Sequence, residues 1–200
     1  MKDDGSGNKV IFLGESFVGK TNLIRISVGQ PFDSRSLTTW SASYVQKQFV
    51  YKDQKYTFCL WDTIGQEIYR ALNKIFFQNA KIVILVYDIT SRKSFEELEY
   101  WYEEVKKELG DDYILAIVGN KSDLLNEEKV SEAQGRKYAE EKKAKFRLTS
   151  AKEDPDYFVS FLEELFRDYL DKHPEAESKP RGISITASNI SQRGKKKNCC

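Results

Sequence analysis

The stretch Gly14-Glu15-Ser16-Phe17-Val18-Gly19-Lys20-Thr21 decides the fold of this chain. It follows the apolar run at residues 10–13 and precedes a helix-compatible segment, an order typical of a strand, a glycine-rich turn and a helix start. In that arrangement backbone N–H groups converge on a β-phosphate, and the helix N-terminus adds a favourable dipole. Lys20 is predicted to reach the β- and γ-phosphates, and the Thr21 hydroxyl to ligate Mg²⁺. The stretch therefore favours a nucleotide site over an ordinary loop.

The composition is that of one domain with balanced charge. The 200 residues are 40% hydrophobic and carry a net charge of +1, so charge alone does not suggest nucleic-acid binding. No apolar run is long enough to span a bilayer, and the polar start at residues 1–7 lacks the core of a signal peptide. Cys59 lies in an apolar run and is expected to be buried and reduced. We expect a cytosolic protein.

Apolar runs alternate with helix-compatible segments from residue 9 to residue 171. Strands are predicted at residues 9–13, 44–51, 56–61, 82–87, 114–118 and 146–149, the second and third forming a hairpin. Helices are predicted at residues 20–28, 67–79, 94–109, 131–143 and 155–170. Strands rich in β-branched residues and alternating with helices indicate a mostly parallel sheet covered on both faces. Ligands of such folds bind at the carboxyl ends of the strands.

The two ends of the chain differ in composition from this domain. Residues 1–8 are expected to be flexible, and residues 172–200 have no apolar periodicity, which predicts a disordered tail. The tail carries about +5, which leaves residues 1–171 near −4. The basic run Lys195-Lys196-Lys197 directly precedes Cys199 and Cys200. One lipid chain anchors a protein only marginally, so a polybasic patch beside modified cysteines favours a lipid anchor over a frayed basic end.

A second motif, at residues 61–67, closes the predicted hairpin with Trp-Asp-Thr-Ile-Gly-Gln-Glu. Asp62 at a strand end is suited to hold Mg²⁺, directly or through water. Gly65 is suited to bring its N–H to a γ-phosphate, because a side chain there would hinder the approach. Gln66 is suited to orient an attacking water. The predicted catalytic residues are therefore Gln66, Lys20 and Gly65.

Two further motifs follow the later strands and concern the base. Asn120-Lys121-Ser122-Asp123 comes after the strand that ends near residue 119. A carboxylate accepts two hydrogen bonds from the edge of guanine, where adenine presents no matching donors, so Asp123 is predicted to select GTP over ATP. Ser150-Ala151-Lys152 follows the next strand and offers a backbone N–H to the guanine carbonyl.

Together, the four motifs resemble those of the Rab family of Ras-like small GTPases. GESFVGKT, WDTIGQE, NKSD and TSAK occur in the family's order and spacing over about residues 8–171, and residues 85–90 and 69–80 are similar to Rab signatures. The resemblance implies an α/β fold, the three-layer G domain of the P-loop NTPases. That domain has a mostly parallel six-stranded sheet with one antiparallel edge strand and helices on both faces.

The resemblance also implies roles for residues that the motifs do not cover. Phe32 matches the aromatic residue that packs against guanine, and Thr39 the residue whose hydroxyl joins Mg²⁺ and whose N–H meets the γ-phosphate. An aromatic trio is implied to face effectors, although ordinary half-buried packing is an equal alternative: Tyr44, Trp61 and Phe76. Cys199 and Cys200 are implied to be geranylgeranylated.

The implied activity is that of a slow GTP/GDP switch in vesicle trafficking, with Mg²⁺ as cofactor. Its implied partners are effectors, an exchange factor, a GTPase-activating protein, and a GDP-dissociation inhibitor or escort protein. The resemblance further implies a monomer that cycles from the cytosol to the cytoplasmic face of an endomembrane by its lipid anchor.

Four positions depart from the family pattern and keep other functions open. Trp40 and Ser41 stand where the family has Ile and Gly, Ile64 where it has Ala, and Phe17 is bulky for its place. These changes leave a GTP-binding scaffold with negligible hydrolysis as an alternative, although the retained Gln66 argues against it. A P-loop kinase is a further alternative that leaves Asn120-Lys121-Ser122-Asp123 unexplained.

Overall fold

The computed structural model of the chain describes residues 7–35, 43–63 and 77–176. The strands are β1 (Asn8–Leu13), β2 (Ser43–Tyr51), β3 (Gln54–Asp62), β4 (Ala80–Asp88), β5 (Ile114–Asn120) and β6 (Lys145–Leu148). The helices are α1 (Lys20–Ser27), α2 (Arg92–Glu96), α3 (Leu98–Leu109), α4 (Glu132–Glu141) and α5 (Pro155–Lys172), with a 3-10 helix at Ser122–Glu127.

The six strands form one sheet in the order β2-β3-β1-β4-β5-β6. The edge strand β2 pairs with β3 in the antiparallel sense, and all other pairs are parallel. The predicted fold class is therefore confirmed. Because β1, β4, β5 and β6 run in the same direction as β3, the loops that follow these strands gather at one edge of the sheet.

The central strands β1, β4 and β5 are buried on both faces, as their apolar runs predict. In β4, alternate side chains enter two separate cores: Ile82, Ile84 and Val86 in one, and Val83, Leu85 and Tyr87 in the other. Helices α1 and α5 contribute to the first core, and α3 and α4 to the second. Cys59 is free and 3% exposed, which confirms its predicted place in the core.

Helix α5 is fixed against the first core by aromatic packing. The rings of Phe58 and Phe166 stack with centroids 3.8 Å apart and an interplanar angle of 4°. Asp154 caps the helix by accepting a hydrogen bond from the Tyr157 N–H, and a proline occupies its first turn. The helix includes Lys172, which the sequence assigned to the tail, and the described chain continues to Ala176, which packs against the core.

The helix predicted at residues 94–109 is in fact two helices. Ser91 caps the first by accepting from the Ser94 N–H, so α2 begins at Arg92, and a boundary at Glu97 separates it from α3. The Ser94 hydroxyl bonds to the carbonyls of Asp88 and Ser91, which ties α2 to the end of β4. Hydrogen bonding by the two serines therefore sets the start of α2, whereas the apolar periodicity of the segment continues across Glu97. The helix predicted at residues 67–79 lies mostly outside the described residues.

Within the described parts of the chain, no helix combines the length and the apolar character needed to cross a membrane.

Candidate functional site

A cavity of about 430 Å³ lies where the loops after β1, β3, β5 and β6 meet. Its walls combine the predicted phosphate-binding loop, the start of α1, the segment after α1, and the loops that follow β5 and β6. The lining residues are Ser16, Phe17, Gly19, Lys20, Thr21, Asn22, Phe32, Asp33, Ser34, Thr63, Asn120, Lys121, Asp123, Leu124, Ala151 and Lys152.

Five predicted site residues are not among the cavity lining but hold residues that are. The carbonyls of Gly14 and Glu15 accept from Lys20, and the Val18 carbonyl accepts from Asn120. Asp62 accepts from Thr21, and Ser150 donates to Asp123. These five residues therefore support the lining residues from behind.

Two glycines of the loop occupy positions that no other residue fits. Gly14 and Gly19 have φ values of 139° and 100°, a range that residues with a Cβ rarely adopt. A Cβ at Gly14 would collide with the Val86 carbonyl, and one at Gly19 with the side-chain amide of Asn120. The loop is thus pressed against both β4 and the end of β5.

Lys20 is a buried cation at the start of α1. It is 6% exposed, and its Nζ donates to the carbonyls of Gly14 and Glu15 at 2.8 Å each. Burial lowers the pKa of Lys20 from 10.5 to about 8, while the charges of Asp62 and Glu15 oppose the shift. The two carbonyls hold the ammonium group directly beneath the loop.

Thr21 and Asp62 bring two oxygen ligands together. The Thr21 hydroxyl donates to Asp62 Oδ2 at 2.7 Å, and Asp62 is 7% exposed. Among the described residues there is no group of three or more His, Cys, Asp or Glu side chains arranged to hold a metal. A hydroxyl and one carboxylate suit Mg²⁺, which keeps several waters and takes phosphate oxygens as further ligands.

Asn120 joins the loops at opposite ends of the cavity. Its amide nitrogen donates to the Val18 carbonyl at 2.8 Å, and its amide oxygen accepts from the Ala151 N–H at 3.2 Å. The residue is 2% exposed. The phosphate-binding loop and the loop after β6 are therefore fixed relative to each other through one side chain.

Asp123 is held in place by the loop after β6. The Ser150 hydroxyl donates to Asp123 Oδ1 at 2.6 Å and itself accepts from the backbone N–H groups of Lys152 and Glu153. The neighbouring Lys121 has a left-handed φ of 68°, and its Nζ lies 2.6 Å from Asp88 Oδ2. The side chains of Lys121 and Asp123 are thus each fixed by a polar partner.

Asn22, Asp33 and Asp88 are parts of this arrangement that the sequence analysis missed. The Asn22 amide donates to the Asp33 carbonyl at 3.1 Å and accepts from the Asp33 N–H at 2.9 Å. This pair fixes the chain next to Phe32, which lines the cavity and is 37% exposed. The sequence does not single out Asn22, because Lys20 and Ser27 are also buried polar residues of α1, and its contact with Asp33 joins residues 11 positions apart.

Tyr44 and Trp61 form a stacked pair across β2 and β3. Their ring centroids lie 4.9 Å apart, and the Nζ of Lys9 lies 4.4 Å from the centroid of Trp61. Both rings are half-buried, so packing on the sheet and contact with a partner remain equal interpretations of this pair.

Several predicted site residues lie outside the described residues: Thr39, Gly65, Gln66, Phe76, Cys199 and Cys200. The last described residue before Gly65 and Gln66 is Thr63, whose hydroxyl donates to the Phe12 carbonyl at 2.5 Å. That contact fixes the chain at the residue directly after β3.

Known proteins are similar to this chain over most of its length. The family model for the Ras family matches residues 9–171. Ras-related protein Rab-21 of Mus musculus is 35% identical over 189 residues, covering 93% of this chain and 83% of that protein. The human protein of the same name is 36% identical over 189 residues, with 93% and 82% covered. Ras-related protein RABA1b of Arabidopsis thaliana is 33% identical over 200 residues, with 96% and 93% covered.

The first prediction concerns the amide of Asn120. Replacing Asn120 by Ala removes two buried hydrogen bonds and leaves the Val18 carbonyl and the Ala151 N–H without that partner. Unsatisfied buried groups cost about 1–3 kcal/mol each, so we expect the free energy of unfolding to fall by about 2 kcal/mol or more. Urea unfolding under identical solution conditions measures the change.

Asn126→Ala is the matched control, because Asn126 is exposed in the 3-10 helix and its truncation should change stability by no more than about 0.5 kcal/mol. Equal stabilities for the two variants would contradict the bridging role of Asn120.

Proposed function

Because this chain belongs to the Rab branch of the Ras family and is therefore a small GTPase of vesicle trafficking, we propose that the described cavity is its GTP and GDP site. One observation carries the proposal: a glycine-rich loop with a buried Lys20 and the carboxylate of Asp123 meet at a single cavity of about 430 Å³. The phosphates then lie at the loop and the base at Asp123.

The phosphate end supplies donors in fixed positions. Gly14 and Gly19 let the loop run close to β4 and β5, so its N–H groups face one anion, and α1 adds its dipole. Lys20 is already buried, so a phosphate oxygen adds an ion pair to an ammonium group that the Gly14 and Glu15 carbonyls hold. The side chain then reaches the β- and γ-phosphates.

The base end supplies a matched acceptor and donor. Asp123 accepts from two N–H groups on the edge of guanine, and the Ala151 N–H, oriented by Asn120, faces the guanine carbonyl. Ser150 keeps the Asp123 carboxylate turned in one direction. Phe32 packs against the base, and the Lys121 stem covers it.

Mg²⁺ is the cofactor that this site fits. Thr21 and Asp62 would hold the ion on the described part of the chain, and Thr39 would add a further oxygen in the GTP state. When bound, Mg²⁺ would supply positive charge that offsets the charge of the β- and γ-phosphates.

Hydrolysis needs an oriented water and charge stabilisation. Gln66 orients the water and the Gly65 N–H contacts the γ-phosphate, while Lys20 holds the charge that develops on the phosphates. The cavity lining contains no arginine among the residues described. Turnover is therefore slow until a GTPase-activating protein supplies a cation, which is worth about 10³–10⁵ in rate.

The nucleotide state is read by other proteins. The γ-phosphate orders the segments that carry Thr39 and Gln66, and hydrolysis releases them. Effectors bind the GTP state and contact Tyr44, Trp61 and Phe76, and an exchange factor reloads the site. A scaffold without hydrolysis has no support from the comparisons, since the relatives are Rab GTPases.

The tail places this switch on membranes. Geranylgeranyl groups on Cys199 and Cys200, with Lys195-Lys196-Lys197 beside them, provide the two signals that stable anchoring requires. An escort protein and a GDP-dissociation inhibitor carry the lipidated chain through the cytosol to the cytoplasmic face of an endomembrane.

Guanine selection is tested at Asp123. Two hydrogen bonds to a charged group contribute about 1.5–3 kcal/mol each, so Asp123→Asn should weaken GDP binding by roughly 100-fold or more. An asparagine amide instead pairs with the N–H and carbonyl on the edge of xanthine, so the variant should prefer XDP to GDP. Competition of each nucleotide against radiolabelled GDP measures both effects.

The exposed Asp111→Asn is the control for charge loss and should keep the affinity of the wild type for GDP. Unchanged GDP affinity in Asp123→Asn would contradict the proposal that Asp123 binds guanine. Chromatography of the nucleotide released from denatured wild type should show GDP.

The buried Lys20 predicts proton uptake on GDP binding. A phosphate favours the ammonium form and raises the Lys20 pKa from about 8. Binding therefore takes up protons at pH values where the free Lys20 is partly deprotonated. This contribution should rise from roughly 0.1 proton per site at pH 7 to roughly 0.5 at pH 8, given a pKa of about 8. Calorimetric titration in buffers of different ionisation enthalpy measures it; equal uptake at both pH values contradicts the assignment.

The role of Gln66 is tested by single-turnover hydrolysis. Gln66→Leu cannot orient water, so phosphate release from bound GTP should slow by about tenfold or more while GTP remains bound. Gln48→Leu makes the same change at an exposed position on β2 and should match the wild type. If wild type and Gln66→Leu both retain GTP unhydrolysed over hours, the protein is the scaffold and not the switch.

A further inference from the structure

Phe17 is an exposed aromatic residue in the phosphate-binding loop. Its side chain is 70% exposed although it is large and apolar, which makes it the most exposed of the large hydrophobic side chains in the described chain. Its φ of 64° lies in the left-handed region, which disfavours a residue with a Cβ. Glycine would relieve this strain, so the ring stands at a position where the backbone alone would favour no side chain.

The position of Phe17 connects it to the nucleotide cavity. Phe17 and Phe32 are the two aromatic residues in the cavity lining. Phe32 belongs to the segment after α1 and is joined to that helix through the pair Asn22–Asp33. Phe17 belongs to the loop between β1 and α1, so the two rings reach the cavity from separate segments.

In the proposed site, the polar contacts are assigned to the two ends of the nucleotide. The phosphates face the loop N–H groups and Lys20, and the base faces Asp123, which Ser150 holds, and the Ala151 N–H. The sugar joins these two ends and carries mostly C–H surface on its ring. An exposed aromatic ring in the lining is the group suited to cover such a surface, because both lose apolar area to water.

We propose that the ring of Phe17 closes over the sugar of the bound guanine nucleotide and slows its release. This inference rests on the proposed nucleotide site and adds a side-chain contact to the backbone role of the loop. The ring acts on retention of the nucleotide and touches no reacting atom. Phe17 thereby lengthens the life of each nucleotide state, at the cost of a strained loop.

Release of radiolabelled GDP from the loaded full-length protein tests the proposal. A label on the phosphate or base is required, because a fluorophore on the ribose would compete with the ring. Phe17→Ala keeps the backbone cost of a Cβ and removes the ring, so release into excess unlabelled GDP should be about tenfold faster. Phe17→Leu restores apolar bulk and should fall between Phe17→Ala and the wild type.

Phe17→Gly separates the ring from the backbone strain. It removes both, so it should release GDP at least as fast as Phe17→Ala. Acceleration in Phe17→Gly alone would assign the effect to the backbone and overturn the proposal. A Phe17→Ala rate within about twofold of the wild type would overturn it as well.

Leu125→Ala is the matched control, since Leu125 is 58% exposed but does not line the cavity, and its release rate should equal that of the wild type. Nucleotide content separates the two levels of inference. Wild type without bound guanine nucleotide would refute the proposed function itself. One GDP per chain in every variant, with equal release rates, would refute only the role of Phe17.

Discussion

The side-chain amide of Asn120 sets the relation between the loops around the cavity. One buried group donates to the Val18 carbonyl and accepts from the Ala151 N–H, so the loops after β1 and β6 move together with the end of β5. The absence of a side chain at Gly19 serves the same contact, because a Cβ there would meet the Asn120 amide. An aspartate at position 120 would lack the N–H that donates to the Val18 carbonyl, and a serine side chain would be too short to make both contacts.

Close to Asn120, the site buries polar and charged groups whose removal from water costs free energy. Lys20 is held by two carbonyls, which solvate an ammonium less well than water, and its lowered pKa expresses that deficit. Burial in the fold therefore prepares charges for a ligand. The free energy needed to bury these polar groups comes from the apolar cores on the two faces of the sheet. In one of these cores, the stacked rings of Phe58 and Phe166 hold α5 against the sheet.

The sequence predicted the parts that repeat a local pattern. The continuous apolar runs identified β4 and β5, and the glycine spacing identified the loop that holds Lys20. Each of these signals is contained within a few consecutive residues. The sequence missed the break at Glu97, because the apolar spacing continues across that residue. It also missed Asp88, whose partner Lys121 becomes its neighbour only when β4 and β5 pair, and Asn22, whose partner Asp33 follows 11 residues later, beyond the end of α1.

The strand order also governs when this protein can first hold its ligand during synthesis. β1 is made first yet lies between β3 and β4, so it has no complete pairing until residue 88 has left the ribosome. The last residues that line the cavity are Ala151 and Lys152, so about three quarters of the chain must emerge before the cavity is whole. Because synthesis adds roughly 5–20 residues per second, the apolar strands exist for several seconds before the cavity is complete enough to bind a nucleotide. Binding of a nucleotide to the completed cavity then stabilises the folded chain by mass action.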